Sequence, residues 1–495
     1  MKRIAIIGSG PGGLSAGMLL AYEGYQVDIF EKKPYTGGRN SELTVGAYKF
    51  DLGPTFFLMK DILENIFSMC SRDLYDYVEI DRIEPMYRLK FSEDKLFYPY
   101  SSNENQKMEE EILKVFPDEI HNYRKYMRNE EIKYSKIIPC LSVPYNSFLD
   151  YFKPRFLKSI PYLDAHKSLY SVLSEYYNAE ELKLAFTFQA KYIGMSPWEA
   201  PGTFSIISYI EHKMGVFHIQ GGLNKLSQAM SRVVEEEGGN IYLNKGVKNL
   251  IIENKKVKGI ELYNGEKLYY DGVVINSDFA HGMKELIPED KRKKYNNEVL
   301  EKKKYSCSTF MLYLGIDKIY NKIPHHSIIF ANDYKKNVEE IIESKILSDD
   351  FSFYVQNPSV IDNTLAPKGH SSIYILVPVP NNKSNIPWSN IKNEFKDKIL
   401  DALEKRGEYT NIREHIVDEK IISPEDWEKE CDVFKGAVFN LGHQVNQMLS
   451  LRPHNKLEIL ENCYLVGGGT HPGSGLPTIY ESGRITSELI KKYIK

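Results

Sequence analysis

Two stretches, one at each end of the chain, carry residues suited to chemistry. Near the start, Gly8-Ser9-Gly10-Pro11-Gly12-Gly13 follows the apolar run RIAII at 3–7 and opens a helical pattern reaching about Tyr22. A second strand pattern, 26–31, ends on Glu31. This is the spacing of a dinucleotide-binding βαβ unit. Gly8 permits the tight turn, Gly10 lets the backbone approach a pyrophosphate, and Gly13 lets helix and strand pack closely. The helix N-terminus offers N–H groups to phosphates, and Glu31 can accept from a ribose hydroxyl. Near the end, GGGTHPGSGLP at 467–477 sets five glycines and two prolines around His471. A strand pattern, CYLV at 463–466, precedes it. Pro477 suits the first turn of a final helix running to about Tyr493.

Elements that would hold these stretches can be read between them. Gln220-Gly221-Gly222 opens a block in which Leu223, Leu226, Met230 and Val233 recur at helical spacing, closed by Gly238-Gly239. Short strand patterns follow, NIYLN, VKNLIIE, VKGIELY and KLYYDGVVINSD, separated by turn residues. The regions 86–219 and 301–454 are aromatic, charged and poorer in glycine. The expected fold is α/β. A discontinuous Rossmann-like domain comprises 1–85, 220–300 and 455–495. An interleaved α+β substrate domain comprises 86–219 and 301–454.

Bulk properties narrow the function. The chain has 495 residues, a net charge of −3 and 42% hydrophobic residues, enough for a large core. The near-neutral balance argues against broad nucleic-acid binding. Cys70, Cys140, Cys307, Cys431 and Cys463 are scattered and form no CxxC, which favours free thiols in a reducing cytosol. No signal peptide or spanning helix is read, and the other eleven histidines form no ligand pattern, so no metal site is expected. No serine nucleophile elbow or Walker loop is present. The 35 tyrosines have two readings: codon bias, or an aromatic lining.

FAD and NAD share the first fingerprint, and the following residues separate them. Pro34-Tyr35-Thr36-Gly37-Gly38-Arg39 resembles the glycine-doublet-plus-arginine signature of FAD-dependent amine oxidases and carotenoid desaturases, and FDLGPT at 50–55 matches their segment near the flavin. VGGGTHPGSGLPTIYESGRI is similar to the C-terminal signature of bacterial-type phytoene desaturases, whose usual form is close to VGAGTHPGAGLP. The resemblance covers nearly the whole chain, including FTFQAKYIGMSP (186–197), FSIISYIEHKMGVFHIQGGL (204–223) and YSCSTFMLYLGID (305–317). It looks most like the C30, diapophytoene (dehydrosqualene) branch, although the terminal signature suits the C40 branch equally.

The resemblance implies an FAD domain of the amine oxidase and glutathione reductase type. Gly8, Gly10, Gly13, Glu31, Gly38 and Arg39 would hold the adenosine and pyrophosphate, with Arg39 pairing a phosphate and the Val247 backbone meeting the adenine. Gly53, Pro54 and Thr55 would lie beside the flavin. So would Gly467, Gly468, Gly475, Leu476 and Pro477, whose helix N-terminus points at the flavin pyrimidine. Many related flavoproteins carry an acid where this chain has Gly468, so backbone N–H groups would serve the ribityl chain. The desaturase branch generally lacks that acid too.

The implied reaction moves a hydride from an allylic carbon to flavin N5, after which proton loss completes a conjugated double bond. The protein would mainly position an apolar chain and exclude water. Phe186, Phe188, Tyr192, Phe204, Tyr209 and Phe310 are candidates for the tunnel. No proton acceptor stands out: Glu199, Glu211 and Glu481 are candidates, and His471 reads more readily as a residue holding its turn. The substrate lives in a bilayer, and YFKPRFLKSIPYL at 151–163 has the composition of an interfacial segment. A cytoplasmic protein peripherally bound to the membrane, re-oxidised by a quinone or oxygen, is expected. Rival readings are a carotenoid cis–trans isomerase or a terminal carotenoid oxidase on the same scaffold and, from a different class, a non-catalytic flavin-containing carotenoid-binding or assembly protein.

Overall fold

A computed structural model describes residues 1–495, the Phe148 side chain excepted. Five parallel strands form one sheet in the order Cys463–Leu465, Gly272–Ile275, Arg3–Ile7, Gln26–Phe30, Asn240–Tyr242. Every strand falls within 1–85, 220–300 or 455–495. The strands are nearly all apolar because both faces are covered. Ile4, Ile6, Val27, Ile29 and Val274 pack under helices Pro11–Tyr22, Asn224–Glu236 and Leu476–Tyr493. Ala5, Ile7, Phe30, Val273 and Ile275 pack against a three-stranded meander, Val247–Glu253, Lys256–Leu262 and Lys267–Tyr269, and helix Phe279–Leu286. The stretch KLYYDGVVINSD is therefore two strands: one closes the meander, and Gly272–Ile275 crosses into the main sheet.

A seven-stranded mixed sheet runs in the order Ile416–Ile422, Ser308–Ile316, Ser371–Val379, Phe353–Gln356, His326–Ile329, Arg88–Lys90, Leu96–Phe97. Alternation along its central strands separates two cores. Phe310, Leu312, Leu314, Ile373, Ile375 and Val377 face helix Trp388–Lys405. Met311, Tyr313 and Tyr374 face the hairpin Glu42–Val45 and Tyr48–Asp51. Gly315 is glycine because a Cβ there would lie 2.2 Å from the Tyr48 ring. The hairpin thus belongs by sequence to the N-terminal segment and by packing to the second sheet. Phe310 is corrected by this alternation: it packs among Trp388 and Phe395 on the helix-covered face, opposite the face of Tyr313 and Tyr374.

A third core, strongly aromatic, lies among helices Ile120–Leu141, Leu169–Ser174, Glu180–Ala185 and Ser205–Met214. All five cysteines are unpaired. No described helix is long and apolar enough to cross a membrane, and no described cluster of His, Cys, Asp and Glu could hold a metal ion.

Candidate active site

The N-terminal glycines are glycine for different reasons. Gly8 has φ +97°, and a Cβ there would lie 3.0 Å from the Asn276 carbonyl oxygen; at Gly13 a Cβ would lie 2.5 Å from the Gly8 carbonyl oxygen. The protein's own packing excludes a side chain at both. At Gly10 the nearest atom is the tip of the Asn276 side chain, 3.2 Å away, so the outer side of the loop is clear. Gly10 also caps helix Pro11–Tyr22 with no side-chain acceptor, leaving the first N–H groups open. A clear face beneath open donors fits a dinucleotide pyrophosphate. Gly38 completes the cradle: its Cβ would meet Gly10 Cα at 3.4 Å.

Glu31 braces this loop from below. One oxygen accepts from the Ser9 N–H at 2.9 Å and the Ser9 hydroxyl at 2.8 Å; the other accepts from the Lys33 N–H at 2.9 Å. The second oxygen keeps a lone pair for a ribose hydroxyl. Asn276 donates to the carbonyls of Gly8 (2.9 Å) and Gly10 (3.2 Å). The sequence reading missed Asn276, whose only signal is its place directly after a main-sheet strand. Arg39 spends one arm on the Val438 carbonyl, 2.6 Å away, and lies near Asp278, whose carboxyl burial raises to about 6 against the arginine's pull. Its remaining donors are available to a phosphate. Val247 opens the meander opposite Leu262.

Segment 52–55 is held by three tyrosines, one from each of three strands of the second sheet. Tyr313 donates to the Leu52 carbonyl at 2.5 Å, Tyr374 donates to the Gly53 carbonyl at 2.6 Å, and the Tyr354 hydroxyl lies 2.8 Å from Thr55 Oγ1. Gly53 has no room for a side chain, since a Cβ would lie 2.6 Å from the Arg39 carbonyl. Part of the tyrosine excess therefore does positional work that composition did not reveal.

At the other end, the 467–475 loop is organised by Arg452. It is fully buried and donates to five carbonyls: Gly468 (2.6 Å), Thr470 (3.1 Å), and Leu441, Gly442 and Gln447 (each 3.2 Å). Burial lowers its pKa to about 9. The 438–443 stretch, also unread in the sequence, runs alongside. Asn440 bonds Asp278 at 2.6 Å, and His443 accepts from the Ser474 N–H at 3.0 Å. Gly475, φ +117°, caps the last helix without a side-chain acceptor, with Leu476 and Pro477 in its first turn. Close packing draws this helix against the first one: a Cβ on Gly483 would lie 2.7 Å from the Gly12 carbonyl, and Ser15 donates to the Tyr480 carbonyl at 2.9 Å. Both helix N-termini thereby open on the same glycine loops.

His471 is the histidine of this loop. It is buried, lies edge-on to Tyr145 at 5.3 Å, and burial lowers its pKa to about 4. Its backbone bonds Pro453 and Asn455.

The aromatic core meets segment 52–55 at Phe56, next to Thr55. Phe56 stacks on His326 at 4.2 Å and packs with Tyr192 and Tyr354, both at 5.4 Å, and Tyr87 at 6.3 Å; Phe188 follows behind Tyr87 at 5.5 Å. Of the other proposed tunnel residues, Phe204 lies beside His443, Phe186 stacks on His212, and Tyr209 packs on Tyr134. The three carboxylate candidates separate. Glu199 is exposed to water. Glu481 is committed to Arg484 through both oxygens. Glu211 is fully buried and its oxygens have no hydrogen-bond partner.

Comparisons with known proteins agree with this arrangement. Residues 11–491 match the model of the flavin containing amine oxidoreductase family. The chain is 48% identical over 491 residues to a 4,4'-diapophytoene desaturase (4,4'-diapolycopene-forming) of Methylomonas sp, covering 99% of this chain and 95% of that protein. It is 34% identical to an all-trans-zeta-carotene desaturase of Myxococcus xanthus, covering 99% and 94%. Its fold is that of an oxidoreductase from Methanosarcina mazei, with TM-score 0.65, 16% identity, and coverage of 98% of this chain and 100% of that one. The family is flavin-containing, so the dinucleotide that fits the cradle is FAD. The chain belongs to the flavin-containing amine oxidoreductase family and, within it, to the carotenoid desaturases.

Proposed function

We propose that this enzyme desaturates a linear C30 polyisoprenoid of the 4,4'-diapophytoene class, drawn from a lipid bilayer. The observation that carries the reading is the full-length 48% identity to a diapophytoene desaturase, well above the 34% to a zeta-carotene desaturase. Gly10, Gly38 and the two open helix N-termini would hold FAD at its pyrophosphate and its terminal-loop side. Bound FAD supplies the hydride acceptor, with a quinone or oxygen as the final oxidant. The chain's own contribution is largely apolar. Phe56, Tyr87, Phe188 and Tyr192 offer ring faces along which a polyene could lie, and such faces stabilise a nearby delocalised cation. Their packing keeps water from that cation.

Membrane docking fits segment 149–160. Leu149, Phe152, Leu157 and Ile160 are 73%, 63%, 48% and 50% exposed, and Lys153 and Lys158 stand exposed among them. Apolar side chains flanked by lysines suit the headgroup boundary of a bilayer. Leu451 and Val445 are exposed on a neighbouring loop. Tyr151 joins the two by accepting from the Ser450 hydroxyl at 2.8 Å. That loop carries Arg452, so the proposed lipid face and the flavin loop share one support.

The test is anaerobic. FAD-loaded protein is mixed with liposomes carrying diapophytoene or phytoene, and flavin bleaching and polyene absorbance are followed. Bleaching with a red-shifted product supports desaturation, and a faster rate on diapophytoene supports C30 specificity. A rearranged polyene over unbleached flavin would indicate isomerisation. No change in either lipid would refute the reading.

A further inference from the structure

Among the described residues, Glu211 is the one buried carboxyl whose two oxygens both lack a partner. The others are engaged: Asp51 accepts from the Leu223 N–H, Asp362 from His218, Glu130 from Ser205 and Glu481 from Arg484. An orphan of this kind is costly in a folded core. Its surroundings repeat the pattern. The Tyr87 and Tyr192 hydroxyls and Gln189 Oε1 are also buried without a partner. All three side chains act on the Glu211 carboxyl, favouring its charged form, without meeting it at hydrogen-bond geometry. Four side chains from three separate parts of the chain (Tyr87, 189–192 and helix Ser205–Met214) thus bring unclaimed polar atoms to one point of an otherwise aromatic core. That point adjoins Phe56, which packs on both tyrosines and follows Thr55 in sequence.

We infer that Glu211 is the base that takes the proton released in each desaturation. The inference rests on the desaturase reading. Hydride loss to FAD, the oxidant, leaves an allylic cation on the polyene. The C–H bond on the neighbouring carbon then breaks, its electron pair becomes the second bond of the new C=C, and the proton goes to a Glu211 oxygen. Tyr87 and Tyr192 can donate to the carboxylate before that transfer.

Burial pushes Glu211 up to about 8, against the pull of Tyr87, Tyr192 and Gln189. The titratable groups facing it are those two tyrosines, both held well above their usual pKa by burial. On its own helix, His212 is lowered to about 4 by burial and bonds the Ser208 carbonyl, so it stays neutral.

The experiment compares wild type with Glu211→Gln and Glu211→Asp, each FAD-loaded, in anaerobic single turnovers on diapophytoene liposomes. The wild-type rate should rise about tenfold per pH unit up to about 8 and then level off. Glu211→Gln should lose roughly 100-fold or more in rate and lose the pH limb while retaining FAD. Glu211→Asp should keep the limb and part of the rate. A second readout needs no turnover. The infrared carbonyl band of a protonated carboxyl should be present in wild type at neutral pH, fade as pH passes about 8, and be missing from Glu211→Gln. A Gln variant with the wild-type rate and limb, or no such band, would overturn the inference. If Glu211→Gln fails to retain FAD, the Asp variant and the infrared titration decide. Wild type inert toward the polyene would instead count against the desaturase reading itself.

Discussion

The Arg452 guanidinium donates to the Gly468 carbonyl at 2.6 Å, and its remaining nitrogens bond carbonyls on both sides of the terminal glycine loop. Among the described residues no carboxylate partners this buried cation; five carbonyl dipoles offset the cost of its burial. A lysine has three donors on a single nitrogen and cannot span them. Arg452→Lys should lose FAD on gel filtration and about 3 kcal/mol of stability, the scale of one or two charge-assisted hydrogen bonds. The FAD-to-protein absorbance ratio and denaturant unfolding check both.

Gly10 and Gly13 should respond differently to alanine. A Cβ on Gly13 would meet the Gly8 carbonyl at 2.5 Å, whereas one on Gly10 would meet only a movable amide at 3.2 Å. Gly13→Ala should destabilise the apoprotein by roughly 1–3 kcal/mol, as overpacking does. Gly10→Ala should leave apoprotein stability near wild type and weaken FAD at least about tenfold, or about 1.4 kcal/mol. Unfolding of the apoprotein and FAD titration separate the two.

Tyr374→Phe removes the hydroxyl that holds Gly53, and Tyr313→Phe the one that holds Leu52. Each should cost about 1 kcal/mol. Each should also shift the bound-flavin absorption spectrum, because segment 52–55 loses an anchor. An unchanged spectrum in both variants would place the segment away from the flavin.

The raised Glu211 pKa makes stability depend on pH. In the unfolded chain this carboxyl titrates near its ordinary 4.5; in the folded protein it holds its proton to about 8. Between these values the folded state binds more protons, so stability falls as pH rises and levels off above about 8. This group's limiting slope is about 1.4 kcal/mol per pH unit. Glu211→Gln should flatten that part of the profile and gain stability over wild type at alkaline pH. Denaturant unfolding at several pH values measures the difference.

Leu149→Asp with Phe152→Asp and Ile160→Asp places charges where exposed apolar side chains stand. Liposome co-sedimentation should fall at least about tenfold, while FAD content and thermal stability remain near wild type. Binding at the wild-type level would remove this face as the membrane contact.

Legibility in the sequence followed the range of the interaction. The βαβ unit, the last helix and the short strands between 240 and 275 were readable because each is set by neighbours in the chain. Gly8, Gly10 and Gly13 lie within one turn and its helix, and apolar periodicity shows where Pro11–Tyr22 and Leu476–Tyr493 run. The flavin-type fingerprint was equally local, being a matter of glycine, arginine and proline at short spacing.

What only the tertiary structure decided depends on residues far apart in sequence. Tyr313, Tyr354 and Tyr374 reach segment 52–55 because strand pairing and alternation turn them to one face, the same rule that sends Phe310 to the other. Arg452 and Asn276 matter through the carbonyls they meet, and no local pattern encodes those partners. The three glutamates looked alike as letters. Burial and pairing separated them: Glu199 is left to water, Glu481 is bound by Arg484, and Glu211 alone is buried without a partner. A side chain's chemistry is written in the sequence, but its solvent and its neighbours are set only when the chain closes around it.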